Sequence, residues 1–553
     1  MPELVLGPLL RYVGEECATF WVETDSPCEV SVLGTTERTF HVEGHHFGLV
    51  RVRGLETGAE LEYTVELDGE QVWPLEGSDF PPSRFRTSPK SDRMKLAFGS
   101  CRTAMPNSPP FTLTKDQDER GRELDALRGL AFRMKDQPFE EWPDLLLLLG
   151  DQVYADEVSP ETEKFVRSQR DMDEDPGKLA LNYEEYTHLY QEAWSEPVMR
   201  WLLSTVSSAM IFDDHDIHDD WNTSQAWLDE MRASDWWDEH IVGGLMSYWI
   251  YQHAGNISPS DQDEDELFIK VREAEDAGPM LREYALKADR EKNATRWSYC
   301  RDLGDTRLVV IDSRCGRMLE EGSRDMLDED EWLWIENRCT GDFDHLLIAT
   351  TLPWLLSPAM HHVEAWNEKV CGGAWGARAA KVGEKIRQGL DLEHWGAFNR
   401  SFDRLAELQR RVAAGELGTP PASIVTLSGD VHHAYLSEVA YPRGSGVQSN
   451  VFQAVCSPLR NPLDDKERRV INFMMTKPAF AIARALSRAA GVESEPVRWR
   501  MVGEGPWFDN QVASLELEGR SLDFRIEKAE HDDDDVNGPG EPKLECVFEH
   551  TLA

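Results

Sequence analysis

Residues 211–222 read IFDDHDIHDDWN, which places five aspartates and two histidines within the eight positions from Asp213 to Asp220. Carboxylates this close repel one another and resist ionisation unless a positive charge sits among them. Solvent counter-ions around a surface loop could supply that charge, and so could a bound metal. Three other stretches offer ligand types beside small residues: Gly99-Ser100-Cys101, Gly150-Asp151-Gln152-Val153-Tyr154 and Ser428-Gly429-Asp430-Val431-His432-His433. A binuclear site needs a carboxylate able to bridge, terminal O, N or S donors on each side, and an open face for water and substrate. Glycine beside Asp or Cys lets the backbone bring those donors close to a cation.

Each stretch alone is a weak signal. A thiol after a strand is more often simply buried, Gly-Asp is often a turn, and Asp-His-Asp can cap a helix or decorate a surface. What raises them together is their placement. Apolar strands are expected at 94–101, 144–151, 207–214, 306–314, 344–352 and 422–430, and nearly every one runs into Asp, Cys, His or Arg at its C-terminal end. Near-continuous apolar strands imply sheets covered on both faces, as in layered α/β folds. Loops at strand C-termini are where such sheets hold their ligands.

The rest of the chain divides around these strands. Residues 1–88 alternate in short runs with turn residues between them, the pattern of a small immunoglobulin-like β-sandwich, and 79–92 reads as a linker. Helical spacing is expected over 180–204, 225–253 and 383–415, with the aromatics there in the core, and a charged, solvated helical excursion over 260–295. The basic amphipathic stretch 469–491 is expected as a lid or packing helix, with a membrane-surface helix as the lesser reading. Residues 511–529 read as a closing hairpin and the DDDDV run at 532–536 as a solvated loop.

Composition bounds the function classes. With 553 residues the chain exceeds one ordinary core. Against 58 basic residues stand 102 acidic ones, a net charge of −44, so nonspecific binding to nucleic acid or anionic lipid is not expected. Nine scattered cysteines without a CxxC pair read as reduced thiols. No apolar run reaches membrane-spanning length, and neither a signal-peptide pattern nor a twin-arginine signal is seen, so the expected location is cytoplasmic.

The order GSC, GDQVY, DDHD, SGDVHH resembles the alkaline phosphatase D family, the PhoD-like branch of the metallophosphoesterases. VVIDSR at 309–314 followed by EWLWIENRC at 331–339 is similar to that family's DxR segment and the helix after it. The resemblance implies a layered metallophosphoesterase-type α/β sandwich flanked by helices over 91–553, with helical insertions at about 160–300 and 469–491, preceded by a small all-β immunoglobulin/fibronectin-like domain over 1–90. It implies that Asp151 bridges two metals and that Cys101 and Tyr154 bind the first, thiolate and phenolate suiting Fe3+. Asp214 and Asp220 are then expected on the second metal, Ca2+ by resemblance or Mn2+ or another divalent ion on availability. Asp430 and His432 close the site, one on each metal, and His215 serves as leaving-group acid or oxyanion partner.

Arg314 has two readings, a bidentate phosphate contact or an internal salt bridge to Asp312 or elsewhere, and Arg102 has the same two. Asp213 is expected to orient a ligand and Asp216 to hold His215, while His218 and His433 are expected to be structural. His361 and His362 lie in a segment that could reach the site. The expected reaction is hydrolysis of small phosphomonoesters or phosphodiesters by a water activated between the metals. The alternatives are a diesterase acting on a phospholipid, polymer or nucleotide, and a non-catalytic ligand-binding protein on the same fold.

Overall fold

The computed structural model describes residues 1–88, 93–531 and 541–553. At its centre two β-sheets lie face to face. One has six strands, in the order Ser207–Ile211, Leu145–Leu149, Arg93–Gly99, Gln511–Glu518, Ser521–Glu530, Lys543–Thr551. The other has seven, in the order Tyr299–Leu303, Thr306–Ile311, His345–Thr350, Ser423–Ser428, Asn450–Val455, Ala434–Ala440, Arg498–Trp507.

The run LLLLL at 145–149 shows why these strands are apolar throughout. Successive side chains on a strand point to opposite faces. Leu145, Leu147 and Leu149 enter the layer between the two sheets, with Leu96, Phe98, Val425 and Leu427. Leu146 and Leu148 face the other way, into a cluster shared with the helices. Leu308 and Val310 divide from Val309 and Ile311 in the same manner, as do Leu347 and Ala349 from Leu346 and Ile348. Each strand is therefore buried twice, and the two sheets with their outer helices form a layered sandwich.

Parallel pairing brings the strand ends together. Gly99 pairs with Leu148, Leu149 with Ile211, Ile311 with Thr350, and Ala349 with Leu427. The loops that start at Ser100, Gly150, Phe212, Asp312, Thr351 and Gly429 thus leave the sandwich at one end. The expected closing hairpin is present as Gln511–Glu518 and Ser521–Glu530, antiparallel beside Arg93–Gly99.

Residues 4–86 form a β-sandwich of two four-stranded sheets and a two-stranded ribbon. Its own core includes Phe20, Val30, Val50, Tyr63 and Phe85. The opposite face, with Leu6, Leu9, Trp21 and Phe47, joins the cluster of the helices. Arg11 is completely buried and donates to the carbonyls of Tyr251 and Gln252 at 2.5 and 2.7 Å. The small sandwich is seated on the helices and not merely tethered to them.

Three expectations change in detail. The 383–415 stretch is two helices, Ala377–Gly389 and Asn399–Ala413, separated by a turn that carries Asp391, Glu393 and His394. The excursion at 260–295 is helical but not fully solvated, since Leu281, Ala285 and Ala288 of helix Gly278–Arg290 are buried in the main cluster. The basic stretch is a pair of helices, Asp465–Met474 and Lys477–Ala489. Among the described residues no helix is long and apolar enough to cross a membrane, and all nine cysteines are free thiols. The DDDDV run and positions 89–92 of the linker lie outside the described residues.

Candidate metal centre

The loops at the shared end of the sandwich turn back at once over the strand ends. Cys101, Asp151, Asp220, Asp430 and His432 all have positive φ, between 51° and 65°. Non-glycine residues seldom adopt this conformation, and it costs of the order of 1–3 kcal/mol each unless the surroundings enforce it. Gly150 permits the tightest approach: a Cβ there would stand 2.4 Å from the Cβ of Asp213. At Gly429 an added Cβ would stand 2.1 Å from Ser100 Oγ. These glycines let three separate loops pack backbone against side chain.

Asp216 ties the loops together. Its carboxylate accepts from the backbone N–H groups of Asp151 (2.8 Å), Gln152 (3.1 Å), Val153 (3.3 Å) and Asp213 (2.9 Å). The expectation that it holds His215 is corrected by this, because it is spent on the backbone of the two loops. Asp156 is the partner of His215, 2.9 Å from Nδ1. Ser100 Oγ accepts from the Asp430 N–H at 2.9 Å, and Ser457 Oγ lies 3.2 Å from Cys101 Sγ and 3.1 Å from the His432 N–H.

Three groups of ligand-type side chains result, each with donor atoms within 4.8 Å of one another: Cys101, Asp151 and His432; Asp151, Asp214 and His215; Asp213, Asp214 and Asp430. Asp151 belongs to the first two and Asp214 to the last two. The Tyr154 hydroxyl stands 3.4 Å from Asp151 Oδ2 and 3.2 Å from Asn461 Nδ2. Six of the seven ligands expected from sequence are therefore close together. Asp220 is not: its carboxylate is in none of the three groups, and its backbone N–H donates to Asp214 Oδ2 at 3.1 Å. Its side chain lines the cleft that Asp214 also lines, outside those close groups.

Charge is the dominant physical fact of the site. Burial lifts the Asp151 carboxyl well above its usual range despite His215, and Asp214, Asp216 and Asp430 add to the rise. Asp214 is also raised, by burial against the pull of Arg314 and His215. Burial raises Asp220 to about 9, with Glu393 and Asp391 adding repulsion. Asp430 goes the other way: burial opposes it, but His394 at 3.2 Å and Arg314 hold it below the usual carboxylate range. Buried oxygens Asp151 Oδ1 and Asp213 Oδ2 have no hydrogen-bond partner, and Asp214 Oδ1 has only the Arg314 guanidinium, 3.2 Å away. Unpartnered carboxylate oxygens in such a place are costly unless a cation meets them. Cys and His on one side of Asp151 and aspartates on the other form a donor set that fits two different metal ions.

His215 has the opposite environment. Burial disfavours its charged form, yet Asp156, Asp214 and Asp151 outweigh that and raise it well above an ordinary histidine. Its ring stacks on Tyr154 at 4.6 Å between centroids.

Arg314 settles into the second of its two readings, with partners other than the side chain of Asp312. The guanidinium is completely buried; it bonds Asp213 and Glu393 and lies 3.2 Å from Asp214 and 3.5 Å from Asp430. A phosphate contact is not available to it in this arrangement, because carboxylates surround it on every side named. Arg102 is likewise internal, paired with Asp125 at 2.8 Å. His361 packs against Phe402 and Trp499, and His362 lies 3.0 Å from Glu495, so neither reaches the cluster. His218 sits among Trp227, Trp236 and Trp237, and His433 stacks on Tyr435.

Sequence reading missed His394, Glu393, Asp156 and Asn461. His394 bridges Glu364 (2.8 Å) and Asp430 (3.2 Å), and Glu393 joins Arg314 to Arg317. The one available signal was DLEH at 391–394, an acidic break inside an otherwise helical pattern.

Above the cluster lies a cleft of about 470 Å³. Its floor carries Asp151, Asp214, His215, Asp430 and His432, and its walls include Lys115 and the apolar side chains of Met360, Val470, Ile471 and Met474.

Residues 128–267 match the family model described as PhoD-like phosphatase, and residues 1–85 match one described as a domain of unknown function (DUF7800). No curated protein matches the chain. Among solved structures the chain is similar to one of PhoD, at 10% identity and TM-score 0.59, over 99% of this chain and 90% of that one. It is also similar to purple acid phosphatase PPD1 isolated from yellow lupin (Lupinus luteus) seeds, at 10% identity and TM-score 0.46, over 99% of this chain and 74% of that one. The likeness to the PhoD structure speaks for the fold. The match over 128–267 bears out the PhoD-like resemblance and supports a phosphoesterase enzyme.

Proposed function

We propose that this chain hydrolyses small phosphomonoesters, phosphodiesters or both at a two-metal centre on the floor of the cleft. The observation that carries the reading is Asp151: one buried carboxylate shared by two donor groups of different chemistry, with an oxygen left unpartnered. Cys101, Tyr154 and His432 would hold one ion, for which the thiolate and phenolate favour Fe3+. Asp151 and Asp214 would hold the other through oxygen, with Asp213 and Asp430 beside Asp214, which suits Ca2+ or Mn2+. When bound, such ions neutralise phosphoryl oxygens and make water a stronger nucleophile near neutral pH.

The chain's own residues supply the rest. His215 lines the cleft with Nδ1 fixed by Asp156, so its Nε2 proton is the one available to a leaving oxygen. Arg314 works from below, holding Asp213, Asp214 and Asp430 in place and offsetting their mutual repulsion. Lys115 is the cation on the cleft wall nearest in character to a phosphate partner. Direct attack by water requires no serine nucleophile and no phospho-enzyme.

A diester reading is favoured by one observation. The apolar wall of Met360, Val470, Ile471 and Met474 offers the second substituent of a diester a surface that phosphate itself would not use. The domain organisation proposed with this function is a β-sandwich over 1–90 and a catalytic part over 91–553. The test is turnover of a chromogenic phosphomonoester and a chromogenic diester after chelation and after re-addition of iron, calcium or manganese. Turnover that returns with metal supports the reading, and none under any metal contradicts it.

A further inference from the structure

The helices Asp465–Met474 and Lys477–Ala489 are amphipathic in the reverse of the usual sense. Helix Lys477–Ala489 buries Ala479, Ala483 and Ser487 against helix Pro358–Cys371, and helix Asp465–Met474 has no buried residue. The large apolar side chains face out: Val470 is 61% exposed, Phe473 56%, Ile482 60% and Leu486 39%. Within each helix the pairs fall three or four residues apart, on one face. Burying alanines while leaving Ile, Leu and Phe in water runs against the hydrophobic effect, unless something apolar covers them.

The neighbouring surface continues the patch. Trp375 is 44% exposed and its Nε1 donates to the Ala489 carbonyl at 3.3 Å, while Leu390 is 60% exposed and shares the cleft wall with Val470. Of the twelve large apolar side chains exposed among the described residues, seven lie between 375 and 390 or between 470 and 486.

Charge selects the occupant. Residues 465–490 carry six basic and two acidic residues on a chain whose net charge is −44. Lys466, Lys477, Arg484 and Arg488 are in no ion pair among the described residues; Arg484 lies over the Phe480 ring at 5.6 Å. An acidic protein as a whole is repelled by an anionic surface, but at physiological salt that repulsion is screened beyond about 8 Å, so a docked surface meets chiefly the local charge. Apolar side chains for an acyl boundary, flanking cations for its headgroups and a tryptophan at the rim are the features of an interfacial helix.

We propose that this helical hairpin docks the protein on an anionic lipid surface, with the mouth of the cleft beside the contact. Val470 and Leu390 belong both to the cleft wall and to the exposed patch, so docking places the cleft at the level of the headgroups. This claim concerns binding and stands apart from the catalytic reading.

The experiment is co-sedimentation with vesicles of phosphatidylcholine alone and of phosphatidylcholine with phosphatidylserine, across a range of salt. Binding is expected to the second kind, weakening as salt rises, and to persist in Asp151→Asn. The pair Phe473→Glu with Ile482→Glu, and the pair Arg484→Glu with Arg488→Glu, should each weaken it by at least about tenfold. Both pairs should keep wild-type turnover of a soluble phosphoester, which also reports an intact fold. If a variant does not fold, the wild-type comparison of the two vesicles still decides. Equal or absent binding to both vesicles, or binding that folded variants retain, overturns the proposal. So does a dimer in solution that Ile482→Glu dissociates without any vesicle binding, which would make a second copy the occupant.

Discussion

Arg314→Gln removes the guanidinium that four buried carboxylates share. The consequence can be worked out partner by partner. Glu393 keeps Arg317 at 3.1 Å, and Asp430 keeps His394 at 3.2 Å. Asp213 keeps only the Thr351 hydroxyl, at 3.0 Å, and is itself completely buried. Asp214 loses its ion pair and keeps only the pull of His215. Asp213 is thus the carboxylate left with no cation, and breaking a buried pair in this way costs about 3–5 kcal/mol. For a chain of this length that corresponds to a fall in Tm of roughly 3–4 °C. The assay is thermal and denaturant unfolding of wild type, Arg314→Gln and Arg314→Lys, each with and without added metal. Arg314→Lys keeps a charge but not the fork, so its loss should be intermediate. Metal should recover part of the stability in both variants, because it neutralises the same oxygens. A loss below about 1 kcal/mol, together with a raised KM for phosphoesters, would refute this reasoning and return Arg314 to the substrate.

Gly150→Ala should destabilise the protein by about 2–4 kcal/mol and weaken metal retention, since its Cβ would meet that of Asp213 at 2.4 Å from a backbone with φ of 100°; melting with and without metal checks both. Cys101→Ser should lower affinity for the ion on its side at least about tenfold in competition with a chelator, and should remove any visible thiolate or phenolate charge-transfer band that depends on it. His240 is buried and held neutral, with a pKa lowered by burial to about 4 from 6.5. Its folded pKa lies below its unfolded one, so stability is present above pH 6.5 and is lost as pH falls from 6.5 toward 4, by up to about 3 kcal/mol. Denaturation of wild type and His240→Gln across that window should show a shallower pH dependence in the variant.

The sandwich strands were legible because of a local cause. A strand buried on both faces needs an unbroken apolar run, and LLLLL at 145–149 or LVVI at 308–311 permits little else. The strands that escaped reading are Tyr299–Leu303, Ala434–Ala440, Asn450–Val455, Arg498–Trp507 and Lys543–Thr551. All but Asn450–Val455 are at or next to an edge, where residues such as Glu438 and Arg500 dilute the pattern, and Asn450–Val455 is interior but carries the polar Gln453. In the site, residues that begin a loop at a strand end could be found from position alone: Cys101, Asp151 and Asp430. Residues that act through contacts across 30 to 200 positions could not. Asp156 is legible only once His215 is known to lie 2.9 Å away, and His394 only once Asp430 does at 3.2 Å. Arg314 was ambiguous because one arginine after a strand is compatible with phosphate or with carboxylates. Its four acidic neighbours come from three separate segments, and only the fold brings those together. Asp220 shows the converse case, an aspartate of the right type that lines the cleft but falls outside the three close donor groups.

The most direct test of the central claim is elemental analysis of the purified protein and its Asp151→Asn variant, with phosphoester hydrolysis measured on both. Asp151 is the carboxylate common to two of the three donor groups, so its loss should strike two ions at once. About two metal ions per chain in the wild type, with both metal and turnover lost in the variant, is the predicted result. A metal-free wild type that no metal activates, or a variant that keeps its metals and its turnover, would contradict the account.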